Sequence, residues 1–254
     1  MAKPQKVFLL GGHDLEMITI KQLLEGRAGC VAIDKHLQWD NALLSAYQEE
    51  LACYSADEIY GIELREDIPV PKNYCRIDHH NDYNDHPASV LQVAEVLGIA
   101  SDWHMQLVAA NDAGYIPAMQ AMGASDKEIQ EIRRLDRAAQ GVTEEDEQLA
   151  EKSIAEGITR MREIVVVRSL TTRFSAICDR LFPYRRLLIY TDREWSYYGE
   201  GKTELVALLA EDIVSGKVYH GGGEKGYIGA AIGAFPTDSI YSFVTHIKEK
   251  YEQL

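Results

Sequence analysis

The chain is poor in basic residues, cysteine and proline, and it has no long apolar run. Its 26 lysines and arginines face 40 acids, a formal charge of −14 at pH 7. Long-range repulsion therefore argues against broad adhesion to duplex nucleic acid or to an anionic membrane. No stretch approaches the roughly 20 consecutive apolar residues that span a bilayer. Met1 to Lys6 lead into a short strand without the apolar region of a secretory signal. The expectation is a cytoplasmic location and no membrane partner. The four cysteines (Cys30, Cys53, Cys75, Cys178) lack C-x-x-C spacing and lie mostly in apolar runs. That pattern argues against a disulfide framework or a thiolate zinc site and predicts buried, reduced thiols. Internal repeats and low-complexity segments are also missing. What is present is material for a core: 254 residues, 46% apolar, enough for one large domain or two modest ones.

Apolar runs and polar breaks alternate along the first half. Val7 to Leu10 reads as a strand ending in Gly11-Gly12, and Met17, Ile20, Leu23 and Leu24 have helical spacing. Cys30 to Ile33 is a second strand, and Asn41 to Leu51 a helix. Ile59 to Leu64 is a third strand, and Pro69 and Pro71 interrupt before the strand that leads to Asp78. Ala88 to Leu97 and Trp103 to Ala110 read as helices, the latter running into Asn111-Asp112-Ala113-Gly114. Repeated strand, loop and helix predicts a parallel, doubly wound sheet over residues 1–124. Ser125 with Glu128 forms a capping box, Gly141 breaks the helix, and Thr143 caps the next. This charged pair of helices, 125–163, is expected to connect two domains with a solvated face. From Ile164 a smaller α/β domain follows, 164–254, with strands at Ile164 to Val167 and Arg186 to Tyr190 and a helix at Thr203 to Ile213. It carries six arginines between Arg168 and Arg193, readable as a phosphate-facing surface or as surface ion pairs. It also carries the glycine-rich Gly221-Gly222-Gly223-Glu224-Lys225-Gly226, where backbone amides can approach a ligand closely. Lys202 and Lys225 are expected to be solvated.

Asp78-His79-His80 ends the fourth strand and precedes a polar turn. Polar groups crowded at the carboxyl end of a buried strand point to a metal or phosphate site. His13-Asp14-Leu15-Glu16, Glu63 and Asp112 fall at comparable loop positions after strands or helices. Mixed carboxylate and imidazole donors suit hard divalent cations, and the inventory suffices for two.

With these motifs the sequence resembles the DHH phosphoesterase superfamily over nearly its whole length. Asp78-His79-His80 is the family's third motif, intact. Asp14 and Glu16 stand in the D-x-D places of a contracted first motif, Glu63 in the place of the second and Asp112 in that of the fourth. Gly221-Gly222-Gly223 corresponds to the family's G-G-G-H, with Glu224 in place of the histidine, and marks 164–254 as a DHH-associated substrate-binding domain.

The resemblance implies one metal on Asp14, Glu63 and His13, and a second on Glu16, His79 and Asp112, with Glu63 bridging. Asp78 would orient an imidazole from behind, and His80 would donate to a phosphoryl oxygen or leaving group. Arg173 and the amides of Gly221, Gly222 and Gly223 would clamp the rest of the substrate. The implied activity is a Mn²⁺-dependent phosphoesterase, Mg²⁺ being the other option, in which a metal-bound hydroxide attacks a small nucleotide or short oligonucleotide. A homodimer is compatible with this reading. Glu16, Glu63, Glu224 and the contracted first motif define the alternative, a catalytically silent nucleotide-binding protein. A dinucleotide-binding oxidoreductase is disfavoured, because no G-x-G-x-x-G follows the first strand.

Overall fold

The computed structural model describes residues 5–252. The chain divides into two compact units, Met1–Gly141 and Val142–Leu254. In the first, the elements run β1 (Lys6–Leu10), α1 (Leu15–Leu24), β2 (Cys30–Asp34), α2 (Gln48–Cys53), β3 (Glu58–Ile62), β4 (Tyr74–Ile77), α3 (Ser89–Leu97), α4 (Trp103–Ala121) and α5 (Asp126–Ala139). The four strands form a parallel sheet of order β2-β1-β3-β4. The chain leaves β1 toward β2 at one edge and returns to β3 on the other side, which makes the carboxyl ends of β1 and β3 the topological switch point of the sheet. Val7, Leu9 and Ile59 pack with Tyr47 and Leu51 on one face, while Phe8 stacks on Tyr60 at a centroid distance of 4.9 Å. Val7 to Leu10 are buried on both sides, as a central parallel strand requires. Each such side chain contributes about 1.5–3 kcal/mol of burial. Tyr47 is fully buried with its hydroxyl satisfied, donating to Leu10 O at 2.6 Å.

The second unit runs α6 (Glu144–Gly157), β5 (Ile158–Arg160), β6 (Val165–Arg168), α7 (Ser175–Leu181), β7 (Arg186–Tyr190), β8 (Trp195–Gly199), α8 (Lys202–Leu208), α9 (Ala210–Val214), β9 (Val218–Gly221), β10 (Tyr227–Ala230) and α10 (Thr237–Glu252). Its six-stranded sheet has the order β5-β6-β7-β8-β10-β9, and only β6 and β7 pair in parallel. Trp195, Tyr197 and Ile228 build one core with Leu205, Ile240 and Val244. Val167, Leu187 and Ile189 build another with Ala150, Phe174 and Ile177.

Several local expectations shift. The helix expected over Asn41 to Leu51 is two short 3-10 turns, Trp39–Asn41 and Leu44–Tyr47, before α2. Leu44 N–H donates to Arg65 O at 2.9 Å, and this tertiary bond holds the segment out of helical register. Helix α4 runs past Ala110 before the non-helical backbone of Gly114 and Tyr115 divides it from a second helical stretch ending at Ala121, so Asp112 sits near the end of the first stretch and not in a loop. Pro117 explains the kink, since its ring would clash with the carbonyl of Ala113. The two charged helices fall into different units, α5 with the first and α6 with the second, the division lying at the turn between them. Their face is not wholly solvated, because Arg133, Asp136 and Arg137 are buried. None of the four cysteines forms a disulfide, but Cys178 alone is buried and Cys53 and Cys75 are exposed, one at the end of α2 and the other on edge strand β4. Among the described residues no helix is long and apolar enough to cross a membrane.

Candidate metal centre

Four chain segments converge at the carboxyl edge of the first sheet. Glu63 directly follows β3 in a left-handed conformation, φ 51°, and its N–H donates to Ile77 O of β4 at 2.8 Å. A Cβ on Gly11, just past β1, would lie 2.6 Å from Glu63 O. Glycine there lets the β1–α1 loop press against the end of β3. Among the described residues, the non-glycine residues at positive φ are His36, Glu63, Asn81 and Tyr115. Glu63 is itself in the cluster described below, Asn81 follows His80, and Tyr115 lies three residues past Asp112; His36 packs against His13. Strain of this kind gathers where side chains must be aimed.

Ligand atoms of Glu63, His79, His80 and Asp112 all lie within 4.8 Å of one another. Glu63 is central: its Oε1 is 3.3 Å from His79 Nε2 and its Oε2 is 3.2 Å from His80 Nε2. Ser89 Oγ donates to Glu63 Oε1 at 2.7 Å. His79 Nε2 is 2.6 Å from Asp112 Oδ2 and 3.5 Å from Glu16 Oε2. None of these last three atoms makes a hydrogen bond of acceptable geometry. They are three of the five buried side-chain polar atoms without a partner among the described residues. The other oxygen of Glu16 is fixed, accepting from Val90 N–H at 2.9 Å. Asp14 caps α1 by accepting from Met17 N–H at 2.9 Å, so the capping role and a site role coexist in one carboxylate.

The electrostatics are those of an incomplete site. Burial raises the Asp14 carboxyl to about 7, with Asp112 and Glu63 adding repulsion, and burial also pushes Glu16 well up. Burial works against the charged form of His79, yet Asp112, Glu16 and Glu63 together raise it to about 12. His80 is raised by Glu63. The same imidazoles override the burial of Glu63 and hold it well below the carboxylate range. Asp14 and Glu16 are thus pushed toward their neutral forms by burial beside other carboxyls, a cost that a bound cation would remove. Buried hard-donor atoms without hydrogen-bond partners, and buried carboxyls held up toward protonation, fit a divalent cation.

The remaining candidates are placed as follows. His13 is not in the cluster, its ring lying edge-on to His36 at 5.5 Å. Asp78 was expected against an imidazole, but its carboxylate accepts the backbone N–H of His80 at 2.9 Å. It thereby shapes the turn that presents both histidines, and Gln92 Nε2 holds its carbonyl at 3.0 Å. In the second unit Arg173 is exposed, its N–H donating to Thr171 Oγ1 at 3.1 Å. Gly222 and Gly223 take φ of 70° and 64°, which favours glycine. Lys202, expected in solvent, is buried and its Nζ donates to Gly223 O and, at 3.0 Å, to Gly221 O. Four of the six arginines pair with acids, Arg168 with Asp192, Arg180 with Glu147, and Arg185 and Arg186 with Glu163 and Glu200, leaving Arg173 and Arg193 outside these pairs.

Sequence reasoning missed the support behind the cluster. Arg133 Nη1 donates to Asn111 Oδ1 at 2.8 Å and to Asp136 Oδ2 at 2.7 Å. Asp136 Oδ1 accepts from Leu15 N–H at 3.4 Å. Helix α5 thus braces the neighbours of Asp112, Asp14 and Glu16. A signal was present, since Ile129, Ile132, Arg133 and Asp136 share one helical face.

No family profile matches the chain, and no curated protein matches it in sequence. Solved structures do. The chain is similar to the pGpG-specific phosphodiesterase PggH from Vibrio cholerae, at 11% identity and TM-score 0.52, covering 98% of this chain and 99% of that one. It is similar also to the DHH domain of a protein described as a member of a ribosomal protein family, at 11% identity and TM-score 0.56, covering 96% and 86%. The chain shares the fold of these two structures, and so low an identity leaves the chemistry to the side chains.

Proposed function

We propose that the protein is a metal-dependent phosphoesterase acting on a small nucleotide or short oligonucleotide. The observation that carries this reading is the set of unpartnered buried atoms of Glu16, His79 and Asp112 gathered around Glu63. His79, Asp112, Glu16 and Glu63 would hold one cation, and Asp14, Glu63 and His13 a second. Carboxylate and imidazole donors suit Mn²⁺, with Mg²⁺ the other option. Bound there, the cations supply charge neutralisation at phosphorus and an acidified water. His80, half-buried and with its basicity raised by Glu63, is the proton donor to a phosphoryl or leaving-group oxygen. Asp78 fixes the backbone that carries it. The second unit is the substrate-binding one in this reading, with Arg173 and the amides of Gly221, Gly222 and Gly223 as its candidate substrate contacts. PggH is named for pGpG, which makes a linear dinucleotide the first substrate to try.

The test is Mn²⁺-dependent release of phosphate or nucleotide across dinucleotides, cyclic dinucleotides, mononucleotides and pyrophosphate. Release that vanishes in His79→Ala supports the reading. Metal bound at a defined stoichiometry with no release favours the second reading, a silent nucleotide-binding protein, for which Glu224 in place of a histidine is the motivating residue.

A further inference from the structure

Trp39 stands beside the cluster and has no part in the metal chemistry. It opens a 3-10 turn, Trp39–Asn41, fixed by Gln38 N–H donating to Asn41 Oδ1 at 2.8 Å and Asn41 N–H donating to Gln38 O at 2.9 Å. One part of the indole lies on the β1–α1 loop, so that a Cβ on Gly12 would fall 2.8 Å from its ring. The ring is edge-on to His80, with centroids 5.8 Å apart and planes at 88°. Half of it, 49%, is exposed. A large apolar ring half exposed beside a cluster of carboxylates and imidazoles does little for the core. Its free surface suits a planar, uncharged group.

We propose that Trp39 is a stacking platform for a nucleobase and determines specificity at this site. The inference rests on the phosphoesterase reading for the identity of the phosphate site. The anionic end of a ligand goes to the cations and His80, and the planar end goes to the indole that touches His80. The nearness of the two rings means that the base recognised belongs to the nucleotide carrying the reacting phosphate. Inorganic pyrophosphate and simple sugar phosphates have no group to place there. Stacking reads every base, so the selection is for a nucleobase and not for one sequence.

The experiment is titration of the whole protein in Mn²⁺, followed by tryptophan emission and by calorimetry, with AMP, GMP, ribose 5-phosphate and inorganic phosphate as probes. Trp39 is one of three tryptophans, so Trp39→Phe identifies its signal. The expected result is quenching by AMP and GMP that is absent in Trp39→Phe, with affinity in that variant changed less than about threefold, because an aromatic ring remains. Trp39→Ala should weaken AMP and GMP about tenfold to a hundredfold and leave ribose 5-phosphate and phosphate unchanged. Unchanged wild-type emission on saturation with AMP overturns the proposal. So does an equal loss of AMP and ribose 5-phosphate in Trp39→Ala, which would make Trp39 a wall of the metal site. Binding is read without turnover, so a base-dependent signal in a protein that hydrolyses nothing sinks the phosphoesterase reading alone. Hydrolysis with no base-dependent signal sinks this inference alone.

Discussion

Two buried charged clusters lie side by side in the first unit, one residue apart along the chain at Asn111 and Asp112. The first is closed: Arg133 is held by Asn111 and Asp136, and Asp136 also accepts from Leu15 N–H and, at 3.1 Å, from Gln140 Nε2. The second is open: Glu16, His79 and Asp112 bring buried atoms within ion-pair distance of one another without a hydrogen bond among them. Both are buried in the same small unit, so burial alone does not separate structure from function. Satisfaction does. A closed cluster resists the loss of any one member, whereas an open one costs stability until something outside the chain completes it.

The contrast breaks most directly by mutation on each side. Asp136→Ala leaves Arg133 buried beside a missing carboxylate and should destabilise the metal-free protein by about 3–5 kcal/mol in denaturant unfolding. Asp112→Asn relieves repulsion among the carboxylates but takes a partner from His79, so the same measurement should show a smaller loss than Asp136→Ala while Mn²⁺ binding by calorimetry disappears. Equal destabilisation by the two would erase the distinction.

Metal addition comes next. Mn²⁺ at a thousand times its dissociation constant should stabilise the protein by about 4 kcal/mol, and chelation should reverse it. Its pH dependence has a definite sign. The Asp14 carboxyl is raised from 3.8 to about 7 in the folded state, so its contribution is present below pH 3.8 and lost as pH rises through 7. Glu16 acts in the same direction. His79, raised from 6.5 to about 12, stabilises fully below pH 6.5 and ceases to do so toward 12. Metal-free stability should therefore fall from pH 4 to 8, while the increment from Mn²⁺ grows over that range because the cation replaces protons. Thermal unfolding with and without Mn²⁺ across that range checks both slopes.

A smaller effect is expected where the closed cluster braces the open one. Asn111→Ala should lower Mn²⁺ affinity about tenfold to a hundredfold, and kcat with it, leaving KM measured at saturating metal unchanged. The smallest concerns the second unit, where Lys202→Met removes the ammonium under the Gly221 and Gly223 carbonyls. That should cost about 0.5–1.5 kcal/mol of stability and raise KM without touching Mn²⁺ affinity.

Much of the site was legible residue by residue. Short strands followed by polar breaks placed Glu63 and Asp78-His79-His80 at strand ends, since strand length and turn chemistry are local properties. The Ser125 and Glu128 capping box was legible for the same reason. Asp112 was harder: its motif was visible, but the helix that starts at Trp103 runs past Ala110 and includes it before the break at Gly114 and Tyr115. Arg133 and Asp136 were read as solvated because charge count hid the shared helical face. Lys202 was read as solvated because its partners, Gly221 and Gly223, are distant in sequence. Trp39 carried no signal, as a lone aromatic beside a turn has no period.

The sequence by itself determined the acids and imidazoles available, the alternation that makes a parallel sheet, and the caps that start the helices, because each depends on neighbours within a turn or a strand. Only the tertiary structure decided that His79 would meet Glu16, Glu63 and Asp112 with no hydrogen-bond geometry left for them, that Asp78 would hold a backbone turn, and that an indole would stand exposed beside His80. Those outcomes depend on how β1, β3, β4 and α4 register against one another, and register is fixed by packing across the whole unit.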